Sequence, residues 1–330
     1  MSFPSTAPLG PRERLMGRGP ERTQLLERLT AMRLPDVTSA HPDLAFAALP
    51  AALRLPWIDA DVFTTGVEVL ADRYGDHGIT RLLPPARVRV GIHAVTGSPF
   101  GGFHYPNQGY RHLQMAAIIT AYGDLTVTPK PPGALVALDL LRAYAHDTLH
   151  FATFRRYRVF EGGIARVQYG LNARGPDGRS RSRRDEPNAR STRNLGILME
   201  GATDREATAV ARTTAERCGI TRPGRGIDRL AFGDVTGKPD LGSSAFGTGI
   251  AESAYSTALH GFWRDITARY AATLRELGGD EHGELHRTIV SAMISGDRRS
   301  VGAWLEQRHG PKPFGAAFGV PRGHHGPFCL

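Results

Sequence analysis

Apolar residues recur at three- and four-residue steps through ALVALDLLRAYAHDTLHFATF, with Leu135, Leu138, Leu141, Ala145 and Leu149 on one stripe. That stripe predicts a helix of about five turns, opened by Pro131, Pro132 and Gly133. A second such pattern runs through NLGILMEGATDREATAVARTTAERCG, predicting a helix that opens at Thr192 or Asn194 and closes near Gly219. Period-two alternation in RVRVGIHAV, residues 87–95, predicts a strand, and YRVF and IARVQYGLN on either side of EGG predict a hairpin over 157–172. Further helices are expected over 21–33, about 59–75, Tyr255 to Leu277, about His282 to Ile294, and in DRRSVGAWLEQRHG, which Gly310 and Pro311 end. Helices flanking a small sheet make an α+β chain.

Composition divides the chain further. Residues 1–20 read as disordered, 21–85 as a helical region, and 86–173 as sheet, central helix and hairpin. An arginine-rich loop follows at 174–193, then a helical C-terminal lobe at 194–320 and a tail at 321–330. There are no internal repeats.

His146 and His150 stand four apart on the central helix, so both rings leave one face roughly 6 Å apart along the axis, a span one tetrahedral ion bridges. With 13 histidines in the chain, such spacing also arises by chance. His282 and His286 repeat it in DEHGELH, among Gly278, Gly279 and Gly283, where a solvated turn and helix start is the expected reading. Structural histidines and metal ligands both stay open for the first pair. Glu200 and Asp204 are i and i+4 on the next helix, so one can ligate while the other fixes a histidine tautomer; two exposed helix carboxylates are the alternative. Gly201 weighs against exposure. An interior helical glycine costs about 1 kcal/mol relative to alanine, so its place beside Glu200 predicts close approach of another element.

His146-Asp147-Thr148-Leu149-His150, followed by Glu200-Gly-Ala-Thr-Asp204 and preceded by GGFHYPNQGYRHLQM at 101–115, resembles the gluzincins, the thermolysin-like branch of the zincin metallopeptidases, over roughly residues 87–320. The resemblance implies a zincin-like α+β fold, with a small, mainly antiparallel sheet packed on the active-site helix and a helical C-terminal lobe. It implies zinc held by His146, His150 and Glu200, Asp204 supporting a histidine, and a peptide or protein substrate laid along an edge strand. Asp147 takes the place of the family's glutamate general base, and Tyr255 is the first candidate for an oxyanion donor, with His260 and Tyr270 behind it. The aspartate withdraws the carboxylate by about 1.5 Å, which opens an inactive, zincin-like binding protein as an alternative. His146-Asp147 also resembles the metal-binding dipeptide of the HD phosphohydrolases, with His112 and Asp204 at tolerable intervals, but those enzymes are helical throughout.

Charge and cysteine content add boundaries. Cys218 and Cys329 are too few for a disulfide framework, and the tail's His324, His325 and Cys329 read as a frayed end. No run of eighteen apolar residues and no secretory leader is visible, so a cytoplasmic protein without a membrane span is expected. The net charge of +9 is almost all arginine, lysine occurring only at Lys130, Lys238 and Lys312. Seven arginines fall in residues 174–193, read as a solvated insertion; nucleic acid binding through Arg179, Arg181, Arg183 and Arg184 is the minority reading, since no aromatics interleave for base stacking.

Overall fold

Helices and strands share the chain as the two hydrophobic periods require, and a computed structural model describes residues 12–16, 20, 23–24, 27, 44–94, 103–104, 115–118, 132–160, 163–175, 180–224, 226–238, 259–311 and 313–319. In order come β1 (Glu13–Met16), β2 (Leu44–Ala48), α1 (Leu49–Ala52), α2 (Ala60–Gly75), β3 (Val88–Ala94), β4 (Phe103–His104), β5 (Met115–Ile118) and α3 (Gly133–Ala152). Then come β6 (Arg155–Phe160), β7 (Gly163–Tyr169), β8 (Asn172–Ala173), α4 (Leu195–Arg217) and α5 (Gly226–Val235). A π-helical turn at Trp263–Ala268 leads into α6 (Arg269–Gly278), α7 (His282–Ser295), α8 (Arg298–His309) and α9 (Pro313–Phe318). The protein is thus α+β with a helical C-terminal region. Among the described residues no helix is long and apolar enough to cross a membrane.

Two compact units share these elements, one holding the described residues of 32–152 and 204–262, the other those of 4–31, 153–203 and 263–330. In place of the one expected sheet, each unit has its own four-stranded mixed sheet. The first is ordered β2-β3-β5-β4, with β3 and β5 parallel and the other two pairs antiparallel. The β4 and β5 pairing falls in the glycine-rich, aromatic segment expected to form strands; residues 105–114 of it lie outside the described residues.

Within that unit α2 and α3 pack closely. Asp59 accepts from Val62 N and opens α2, which buries Val62, Phe63, Val69, Leu70 and Tyr74. A Cβ at Gly66 would overlap the Leu141 side chain, so the glycine lets the two helices approach. Tyr74 donates to the Ala145 carbonyl at 2.9 Å and Tyr144 to the Leu83 carbonyl at 2.6 Å. Beyond the predicted stripe, α3 also buries Val136, Ala137, Leu140, Asp147, Thr148 and His150.

The second unit has sheet order β1-β6-β7-β8, with β1 parallel to β6 and the hairpin β6-β7 where the alternation placed it. Residues 13–16, expected to be disordered, are its edge strand, because a partner strand distant in sequence satisfies their backbone. Of the helix expected over 21–33, positions 23, 24 and 27 are helical and the rest lie outside the described residues. α5 and α9 were not foreseen; both are short, and short helices carry little periodic signal.

The arginine-rich segment, expected as a solvated insertion, is mostly exposed over 181–190 and is fastened at several points. Asp185 accepts from the backbone N–H groups of Arg193 and Asn194, Thr192 N donates to Thr273 Oγ1, Leu195 N donates to Ser182 Oγ, and Arg183 N donates to the Phe318 carbonyl. Arg269 reaches the Pro187 carbonyl, and Arg193 pairs with Glu276. Small polar residues read as loop in sequence, yet here they cap α4 and bind α6.

Candidate metal centre

α3 brings its two histidines together tip to tip. His146 Nε2 and His150 Nε2 are 3.0 Å apart, with ring centroids 4.7 Å apart and planes at 68°. His150 is buried, and His146 is half-buried. Glu200, half-buried on α4, completes the group, and one ligand atom from each of the three lies within 4.8 Å of the others.

An ion pair lies one helical turn from these residues along the same two helices. Arg142 precedes His146 by four residues and donates through Nη2 to Asp204 Oδ1 at 2.7 Å, and Asp204 follows Glu200 by four. Asp234 of α5 lies 3.7 Å from Arg142 Nη1. Burial works against the Arg142 charge, but Asp234, Asp204 and Asp139 outweigh it and hold the group above the ordinary arginine range. Asp139 bears the consequence: burial and the nearby Asp234, against Arg142, push its carboxyl up to about 7.

Glu200 is positioned by its neighbours on α4. A side chain at Gly201 would overlap Tyr270, so the close approach expected there exists, and α6 supplies it. Tyr270 is buried, with its hydroxyl 2.6 Å from His286 Nδ1. His286, expected in a solvated helix start, is therefore a buried partner of Tyr270, while His282 is exposed with Nδ1 3.1 Å from the Gly279 carbonyl. On the other side Met199 Sδ accepts from Leu171 N at 3.3 Å, and Gly170, at φ +51°, leaves room for that sulfur. The hairpin also brings Tyr169, whose hydroxyl bonds the Thr153 side chain; burial raises its pKa, Arg155 and Arg166 pull it down, and the Glu200 carboxylate opposes its ionisation.

The other expected residues are dispersed. Asp147 is 2 % exposed and is not among the three converging groups. Its charge is felt at Tyr74 of α2, whose hydroxyl is pushed well above its ordinary range by burial, then by Glu206 against Arg73, and by Asp147. Tyr255, His112 and Arg179 lie outside the described residues; Arg181, Arg183 and Arg184 are exposed. Sequence reasoning missed Arg142 and Tyr169. Arg142 was open to detection, since it continues the i, i+4 ladder of His146 and His150 as Asp204 continues that of Glu200. Tyr169 carried no such signal.

The donor set suits a divalent ion. A tetrahedral centre at about 2.05 Å from two imidazole nitrogens holds them about 3.3 Å apart, within a few tenths of an ångström of the separation here. Two histidines and a carboxylate leave a fourth position for water or substrate. Comparison with models of protein families, with curated proteins and with solved structures found no match to the chain.

Proposed function

We propose that the protein is a zinc-dependent metallopeptidase with a zincin-like active site. The observation that carries the reading is the convergence of His146, His150 and Glu200 from two helices joined by Arg142 and Asp204. Two imidazoles and one carboxylate are the ligand chemistry of hydrolytic zinc sites, whereas calcium and magnesium sites are built from oxygen alone. When bound, zinc supplies Lewis acidity, bringing the pKa of water toward about 7 and polarising a scissile carbonyl.

The protein's own residues then handle binding and protons. His146 Nε2, His150 Nε2 and a Glu200 oxygen hold the ion. Asp147 takes the proton of the attacking water and returns it to the departing amine, and its shorter side chain makes it a slower base than glutamate. Tyr255 is the candidate oxyanion donor by resemblance alone. Asp204 stays with Arg142, which supports the peptidase over the phosphohydrolase reading, where it would have to be a ligand.

Elemental analysis of protein purified without chelator is expected to find one zinc per chain, lost in Glu200→Ala. Asp147→Asn is expected to abolish peptide hydrolysis and keep the zinc. Zinc unchanged in Glu200→Ala would remove the three-ligand site, and zinc retained by the wild type without turnover of any peptide would leave a binding protein.

A further inference from the structure

The β6-β7 hairpin contains an interruption that re-aims one arginine. Arg155 faces Tyr169 and Arg156 faces Gln168, but the next pair is Tyr157 with Arg166, so Val167 is skipped. In a regular strand residues 166 and 169 would point to opposite faces, because alternation has period two. The bulge at Val167 turns Arg166 back to the face of Tyr169. Arg155, Tyr157, Arg166 and Tyr169 therefore share that face. Arg166 Cζ lies 4.4 Å from the Tyr169 ring centroid, and Arg155 Cζ lies 5.5 Å from it.

Arg166 is poorly compensated for its depth. Its Nη1 is buried and has no hydrogen-bond partner among the described residues. Burial lowers its pKa, and the groups acting on it are Tyr169, Arg155, Tyr157 and Arg174, none of them a carboxylate. Glu13 of β1 has its Oε1 3.4 Å from the Tyr157 hydroxyl. Arg142, whose Nε also lacks a hydrogen-bond partner among the described residues, differs in having three aspartates around it. An unsatisfied buried guanidinium N–H is unfavourable, and an acceptor brought by a ligand would relieve it. Through Tyr169 this face also borders Glu200.

We propose that Arg166, with Arg155 beside it, forms an anion subsite next to Glu200 that receives the terminal carboxylate of a peptide substrate. The planar guanidinium matches a carboxylate in two-point fashion, and the Tyr169 ring beneath it fixes its plane. The substrates are then short peptides cleaved close to a free C-terminus. The peptide identity rests on the metallopeptidase reading; the anion subsite does not.

Zinc-loaded protein is assayed on paired blocked peptides that differ only in ending as free acid or carboxamide. The free acid is expected to be turned over with kcat/KM on the order of 10- to 100-fold higher. In Arg166→Gln that ratio falls to about one, through KM of the acid, and Arg166→Lys, with charge but no fork, retains part of it. Thermal midpoints of both variants establish that they fold. Equal turnover of acid and amide by the wild type, or a ratio unchanged in folded Arg166→Gln, overturns the subsite. Calorimetry with N-acetylglycine against N-acetylglycinamide, on the full chain with and without zinc, separates the two readings. Acid-selective binding that is lost in Arg166→Gln, with no peptide cleaved, supports the subsite and removes the peptidase. Amide cleavage with no acid-selective binding does the reverse.

Discussion

A methyl group at position 201 would meet the Cβ and ring of Tyr270, so Gly201→Ala is expected to destabilise the protein by about 1–3 kcal/mol even though alanine is the better helix former. Chemical denaturation reads the sign directly; a gain in stability would mean that the tyrosine yields without strain. This contact was half legible. A glycine beside a ligand inside a helix announces a close neighbour, but which of nine tyrosines approaches depends on packing between segments far apart in sequence. Asp139 offers a second test. Its carboxyl, raised to about 7, binds a proton more strongly folded than unfolded, so it lowers stability as pH rises from about 4 through 7. Asp139→Asn is expected to be the more stable form at pH 8 by up to about 4 kcal/mol, with the difference vanishing toward pH 4. Parallel denaturation curves at the two pH values check it, and a difference independent of pH would place the effect outside that carboxyl.

At the level of elements, periodicity located α2, α3, α4, α7 and α8, because each repeats its apolar positions over several turns. It could not give the register of the hairpin. Arginines and tyrosines alternate along β6 and β7 with neither face apolar, so nothing in the pattern reveals that Val167 is skipped and Arg166 turned over. The anchors of the segment before α4 were hidden for a related reason: serine, threonine and aspartate make the same composition whether they face water or cap a helix. Asp185 is the anchor there, accepting two backbone N–H groups and lying 3.6 Å from Arg269 Nη1. Asp185→Ala is expected to lower stability by about 1–2 kcal/mol, or roughly 2–8 °C in Tm. Calorimetry showing no change would mean that these contacts add nothing to stability.

At the scale of the whole molecule, neither unit is a continuous stretch of chain, and β1 takes its place beside β6 from the other end of the sequence. Hydrophobic pattern reports local structure, so it predicted a sheet and a helical lobe but not which strands belong together. The candidate metal group escaped that limit because its parts are written locally, His146 and His150 within about one helical turn and Glu200 on the next long helix. Only their meeting needed the tertiary structure. On the proposed function, a zinc site assembled from α3 and α4 would exist in the folded chain alone, so binding would stabilise folding. At free zinc about a thousandfold above the dissociation constant the gain is about 4 kcal/mol, equivalent to roughly 10 °C. Imidazoles ligate only when unprotonated, so this gain is expected above pH 7 and to fade as pH falls through about 6. Thermal scans of wild type and His150→Ala, with and without zinc at pH 7.5 and 5.5, provide the measurement. A midpoint raised by zinc at pH 7.5 only, and only in the wild type, is the expected result. Equal stabilisation of His150→Ala would show that zinc binds elsewhere, and a zinc effect as large at pH 5.5 would mean that the ligands are not histidines.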